Sequence, residues 1–167
     1  MTRVKSWALS SLNRQALVHS VRTSVAATVS LVVARLFRLP EAYWAAITTL
    51  IVMQSTLGAA LTISWKRFVG TALGALVGAL VTTYFRPSAI AFGGFVFCIG
   101  LLSSALHLDR AAYRFASITL AIVMLVARTE PAWVVATHRF VEVSIGIGVG
   151  LMLTAVWPEG ESSRPAK

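Results

Sequence analysis

The stretch Trp44 to Gly78, WAAITTLIVMQSTLGAALTISWKRFVGTALGALVG, decides how the whole chain is read. An aromatic-headed apolar run is followed by a basic pair, Lys66-Arg67, and then by a run carrying Gly70, Gly74 and Gly78 at four-residue spacing. As a helix, Trp44 to Trp65 would span about 31 Å, close to a hydrocarbon core of about 30 Å with an aromatic belt at each face. Lys66-Arg67 then reads as a turn between two membrane helices, and Trp44 as a belt residue. The glycine ladder lets another helix backbone come close to the second of them. Thr48, Thr49, Gln54, Ser55 and Thr56 interrupt the first run. Hydroxyls can bond back to their own helix carbonyls, so it is the amide of Gln54 that calls for protein or water.

Working outward, the composition agrees with a membrane protein. Hydrophobic residues make up 57% of the 167 and charged residues 13%, against roughly 45–50% and 25% in soluble domains. Apolar segments recur over about 16–39, 44–65, 68–85, 88–106, 115–127 and 139–157, which makes six transmembrane helices. Arg114 to Arg128 spans only about 21 Å as a helix, so the fifth segment is expected to borrow residues before Arg114. The loop 129–138, with Pro131 and Trp133, reads as interfacial, and Pro158 ends the last helix. Residues 1–15 are basic, with Val4, Trp7, Ala8 and Leu12 near one face, and read as an interfacial helix or a cytoplasmic tail. Residues 159–167 form a second polar tail.

The net charge of +9 does not indicate a nucleic-acid partner, because the basic residues sit singly or in pairs at segment ends and not on one face. Ten of the 15 Lys and Arg fall on the side of the two termini, so both termini are expected to be cytoplasmic under the positive-inside rule. Arg22 and Arg35 lie within the first segment, about 20 Å apart, and either snorkel to the interfaces or line a pathway. Cys98 is the single cysteine, and His19, His107 and His138 are scattered. No metal-ligand spacing, cofactor motif or catalytic set results, so an enzyme is not expected.

The same plan recurs at an offset of 71 residues. WAAITTLIVM, 44–53, returns as FASITLAIVM, 115–124, with Ala45, Ile47, Thr48, Ile51, Val52 and Met53 matching Ala116, Ile118, Thr119, Ile122, Val123 and Met124. Arg67-Phe68-Val69 returns as Arg139-Phe140-Val141, and Gly74, Gly78 and Thr82 fall on Gly146, Gly150 and Thr154, at an offset of 72. A unit of three spans inverts on duplication, so the expected fold is an all-α membrane protein of six helices in a 3+3 inverted repeat. Repeat 1 covers about 16–87 and repeat 2 about 88–158, a plan characteristic of transporters and some channels.

Tyr43-Trp44-Ala45, Ile47-Thr48, Gln54, Arg67 with Gly70-Thr71 and Gly74, the segment YRFASITLAIVML and the closing helix up to Trp157-Pro158 resemble the fusaric-acid-resistance-like and aromatic acid exporter group of bacterial inner-membrane proteins. The plant aluminium-activated malate transporters are distantly similar to that group. The resemblance covers nearly the whole membrane part and implies efflux of aromatic or other organic anions across the bacterial inner membrane. Where the family often carries proline after the glutamine, this chain has Ser55, and its second segment is read as one span. Many members also carry a cytoplasmic domain and two six-helix units, whereas this chain has one unit.

An organic anion needs positive potential along its path. Arg67 and Arg139 are expected at the starts of the third and sixth helices, on opposite membrane faces, either attracting anions at two mouths or anchoring helix ends. Arg22 is a further pathway candidate. Thr48, Gln54 and Thr119 are candidates for midplane hydrogen bonds to a substrate carboxylate or between helices. Glu142 is the deepest carboxylate and the candidate for proton coupling, with an ion pair to Arg139 at i, i+3 as the other reading. Gly70, Gly74, Gly78, Gly146 and Gly150 are helix-packing positions. Three functions stay open: an exporter of organic anions, a non-transporting membrane module assembling with a larger partner, and a passive anion channel. Six short helices enclose little volume, which favours a homo-oligomer.

Overall fold

The computed structural model describes residues 14–54, 56–126 and 130–157. Nearly all of the N-terminal segment expected over 1–15, the tail 159–167 and Arg128 lie outside the described residues. Six helices follow in order: α1 Arg14–Leu36, α2 Tyr43–Val52, α3 Leu57–Tyr84, α4 Ala89–Ala105, α5 Arg110–Leu125 and α6 Ala132–Val156, with no strand among the described residues. Ala16–Leu36, Leu57–Tyr84 and Ala132–Val156 are long and apolar enough to cross a membrane.

Helix starts follow the local chemistry. Thr56 precedes α3 in extended conformation and its hydroxyl accepts from Ala59 N at 3.3 Å. Ser88 does the same for α4 with Ala91 N, and Asp109 for α5 with Ala111 N, which satisfies donors that a helix start leaves unpaired. As expected, α5 begins ahead of Arg114. Arg38 and His107, both at φ 53°, turn the chain after α1 and α4.

The largest correction concerns the turn. Lys66 and Arg67 lie in the middle of α3, and the chain breaks twelve residues earlier, between Met53 and Thr56. Arg67 keeps its place in a helix because Thr48 and the Phe115 ring receive it, and Lys66 because Asp109 does. At the break the backbone groups released from the helix find partners without proline. Met53 N donates to Thr49 O at 2.8 Å, the Gln54 amide donates to Ile51 O at 3.1 Å, and Arg22 donates to Gln54 O at 2.7 Å. Arg139 is likewise eight residues into α6, which already starts at Ala132, so the expected loop 129–138 is helical over most of its length. Lys66 and Arg67 therefore leave the charge count of the loops.

The glycines set how the helices pack. A Cβ on Gly70 would strike Ala112 O, one on Gly74 would strike Ala116 O and lie 2.8 Å from Thr119 Cβ, and one on Gly78 would lie 3.0 Å from Val123 Cβ. Residue numbers rise together along this seam, so α3 and α5 run parallel. On the other side, a Cβ on Gly146 would strike Ala45 O and lie 2.6 Å from Thr48 Cβ, and one on Gly150 would lie 3.0 Å from Val52 Cγ1. Thus α2 and α6 also run parallel. Between the two seams α3 crosses α6 in the opposite sense, with Phe68 on Phe140 and Ala75 and Ala79 in one apolar cluster with Ala132, Val135 and Ala136. α1 covers α2 and α6, and α4 lies against α5.

Candidate functional site

Where α3 and α6 cross, the chain buries charge. Arg67, Arg139 and Glu142 are 6%, 3% and 1% exposed. The position of each follows from helical spacing beside the glycine seams: Arg67 is one turn before Gly70, and Arg139 is one turn before Glu142. Each guanidinium lies against an aromatic ring from the helix it pairs with in its own seam, α5 for Arg67 and α2 for Arg139. Arg67 sits 4.9 Å from the Phe115 ring centre, and Arg139 3.4 Å from that of Trp44. A cation over a desolvated ring face gains about 2 kcal/mol or more.

The hydrogen-bond partners of the two arginines differ. Arg67 donates from Nε and Nη2 to Thr48 Oγ1, at 3.2 and 3.0 Å, and among the described residues it meets no carboxylate at ion-pair distance. Arg139 donates from Nη1 to Glu142 Oε2 at 3.4 Å, the expected i, i+3 pair, and its Nε is buried without a hydrogen-bond partner. Glu142 Oε1 accepts from Glu41 N at 3.1 Å, which ties α6 to the turn before α2. Two buried cations therefore share one buried anion. A buried charge without a counter-ion is costly in a low-dielectric interior, and a site of this kind attracts an anion.

The remaining candidates separate. Thr48 joins the cluster through Arg67, whereas the Thr119 hydroxyl bonds back to Phe115 O at 2.9 Å and contributes packing against Gly74. Gln54 lies at the break, its amide bonded to its own chain, and lines a cavity of about 320 Å3 with Gly58, Thr62 and Lys66. Arg22 does not snorkel; it is fully buried and donates to Trp157 O at 2.8 Å and Gln54 O at 2.7 Å, closing the ends of α6 and α2. The arginines are not at helix starts on opposite faces: the Phe68–Phe140 contact brings them to one crossing.

Trp44, Phe115 and Glu41 are the members of the cluster that the sequence reading missed. From its place at a segment head Trp44 reads as a belt residue, and in the structure the Arg139 guanidinium lies over its ring. A signal was present, because Trp44 and Phe115 head the two copies of the repeated segment as Arg67 and Arg139 follow them.

The sequence profile of the family described as fusaric acid resistance protein-like matches residues 26–153. A protein named "Uncharacterized transporter YdhK" from Escherichia coli (strain K12) is 27% identical over 156 residues, covering 87% of this chain. Its counterpart from Escherichia coli O157:H7 matches to the same extent. The chain spans 23% of the length of these relatives. No solved structure matches.

Proposed function

The chain belongs to the fusaric acid resistance protein-like family, and from that premise we propose that it is the membrane unit of a transporter that exports aromatic or other organic anions across the bacterial inner membrane. Family membership sets it apart from enzymes. The observation that carries the substrate reading is Arg67: a cation 6% exposed, held by a hydroxyl and a ring with no carboxylate beside it among the described residues. A substrate carboxylate would supply the missing charge, and the Arg139 Nε, buried without a partner, adds a donor on the other side of the crossing. The rings of Trp44 and Phe115 suit an aromatic substrate body.

We read residues 16–158 as one membrane domain built as a 3+3 inverted repeat, 16–87 and 88–158. Supporting this, Gly74 meets Ala116 and Thr119 while Gly146 meets Ala45 and Thr48, and these are the positions that the offset of 71 to 72 residues exchanges. Antiparallel α3 and α6 suit an axis lying in the membrane plane, with the ligand site beside it. Both termini are assigned to the cytoplasm, and the working unit is a homo-oligomer. Glu142 is the proton-coupling residue in this account. Its protonation would release Arg139 to the substrate, and its deprotonation would recapture it.

Purified protein reconstituted in liposomes tests the proposal. Saturable flux of benzoate-like carboxylates, absent for the corresponding amines and lost in Arg67→Gln, is the expected result. No flux from intact protein alone would instead favour a membrane module that needs a larger partner, and currents without proton dependence would favour a passive anion channel.

A further inference from the structure

A second cavity, of about 470 Å3, opens between the last turns of α4 and the first of α5. Its two ends differ in chemistry. Phe97 and Leu101, exposed on the outer face of α4, form an apolar wall that acyl chains would meet. The other end holds Ser103, Ser104 and Arg110. Ser103 is 3% exposed and its Oγ has no hydrogen-bond partner. Ser117 and Ser144 bond back one turn, to Tyr113 O and Phe140 O, whereas Ser103, like Ser64 and Thr82, does not, and of these three it is Ser103 that lines this cavity. A buried hydroxyl that forgoes this bond and lines a cavity is a donor held ready for a ligand.

Charge points the same way. Asp109, the acidic neighbour of Arg110, is engaged by Lys66 Nζ at 2.7 Å and by Ala111 N at 2.8 Å. Arg110 is left without an acidic partner among the described residues, and the exposed Arg114 lies one turn further along the same helix face. Positive charge at one end, a buried donor beside it and an apolar wall leading to the membrane together fit an amphiphile. A small soluble anion would make no use of Phe97 and Leu101.

We propose that this cavity binds an anionic membrane phospholipid, its phosphate on Arg110 and Ser103 Oγ and one acyl chain along Phe97 and Leu101. Basic pockets at the ends of membrane helices recognise such headgroups. The site is separate from the Arg67 cluster and stands independently of the transport proposal.

Native mass spectrometry of the purified full chain tests it, with phosphatidylglycerol, phosphatidylcholine of the same acyl chains, and inorganic phosphate as probes. One phosphatidylglycerol retained per chain in preference to phosphatidylcholine is expected. Arg110→Gln, at an exposed position, should weaken retention about tenfold, the loss of one charge-assisted hydrogen bond. Ser104→Trp, which fills the cavity from an exposed position, should abolish retention, while Arg86→Gln at the far end of α3 leaves it unchanged. Equal retention of the two lipids, or retention unaltered in both cavity variants with helicity intact, would overturn the proposal. So would displacement of phosphatidylglycerol by inorganic phosphate at equal concentration, which would assign the cavity to a soluble anion.

Discussion

Phe68 and Phe140, equivalent positions in the two copies of the Arg-Phe-Val segment, meet each other with ring centres 5.0 Å apart at the crossing of α3 and α6. Each ring follows directly on a buried arginine, so the contact places Arg67 and Arg139 on either side of one point in the protein. Each arginine lies over a ring from its own seam partner, Arg67 over Phe115 of α5 and Arg139 over Trp44 of α2. The two sides differ in charge. Glu142 occupies the place that Gly70 holds in the first copy, so Arg139 has a carboxylate and Arg67 does not.

The glycine seams are tested by adding single methyl groups. Gly74→Ala and Gly146→Ala should each cost about 1–3 kcal/mol, because the new carbon meets a backbone carbonyl that only a shift of the facing helix can clear. Gly148→Ala, with nothing within 4 Å of its Cβ, should be neutral or stabilising by up to about 1 kcal/mol through helix propensity alone. Thermal unfolding in detergent reads all three.

Arg22 holds the carbonyls of Gln54 and Trp157. Arg22→Met keeps much of the volume and removes both bonds, leaving the part-buried Gln54 carbonyl unpaired by Arg22 at the break between α2 and α3. A loss of about 3 kcal/mol is expected from two hydrogen bonds to a charged donor. The same unfolding measurement checks it, and protease cleavage near Ser55 should accelerate.

Glu142→Gln keeps the shape of the acceptor from Glu41 N and removes the charge from Arg139. In the transport account the variant carries substrate at a rate that no longer depends on pH. Flux in liposomes with an imposed proton gradient, measured from pH 6 to pH 8, distinguishes this from an ion pair that only holds α6 in place, whose loss would lower stability and leave the pH profile as it was.

Asp109 lies outside the membrane helices and its carboxyl is held below the ordinary carboxylate range, chiefly by the hydrogen bond from Lys66 and then by that from Ala111 N. A depressed folded-state pKa stabilises above the unfolded value and is lost as pH falls through the folded value. Wild type should therefore exceed Asp109→Asn in melting temperature by a constant margin at neutral pH. The margin should close only at acidities below the usual aspartate pKa of about 3.9.

The chain reveals its membrane character and its internal correspondence readily, because apolar length and glycine spacing are local properties of the sequence. The glycines at 70, 74, 78, 146 and 150 all lie at helix contacts as their spacing suggests. The position of the chain break was not legible. Lys66-Arg67 carries the strongest local signal for a turn, yet Thr48, Phe115 and Asp109, distant in sequence, make a helical path through both residues possible. The true break at Met53–Thr56 has only hydroxyls and an amide to mark it, and its key support, Arg22, comes from another helix. The role of Trp44 is hidden for the same reason: a tryptophan at a segment head looks like a belt residue until the arginine over its ring is known.

The measurement closest to the central claim is equilibrium binding of a benzoate-like carboxylate to purified protein, wild type against Arg67→Gln, with Arg86→Gln as an exposed-arginine control. The account predicts saturable binding in wild type and control, and affinity at least about tenfold weaker in Arg67→Gln with its fold intact. Equal affinity in all three proteins would contradict it.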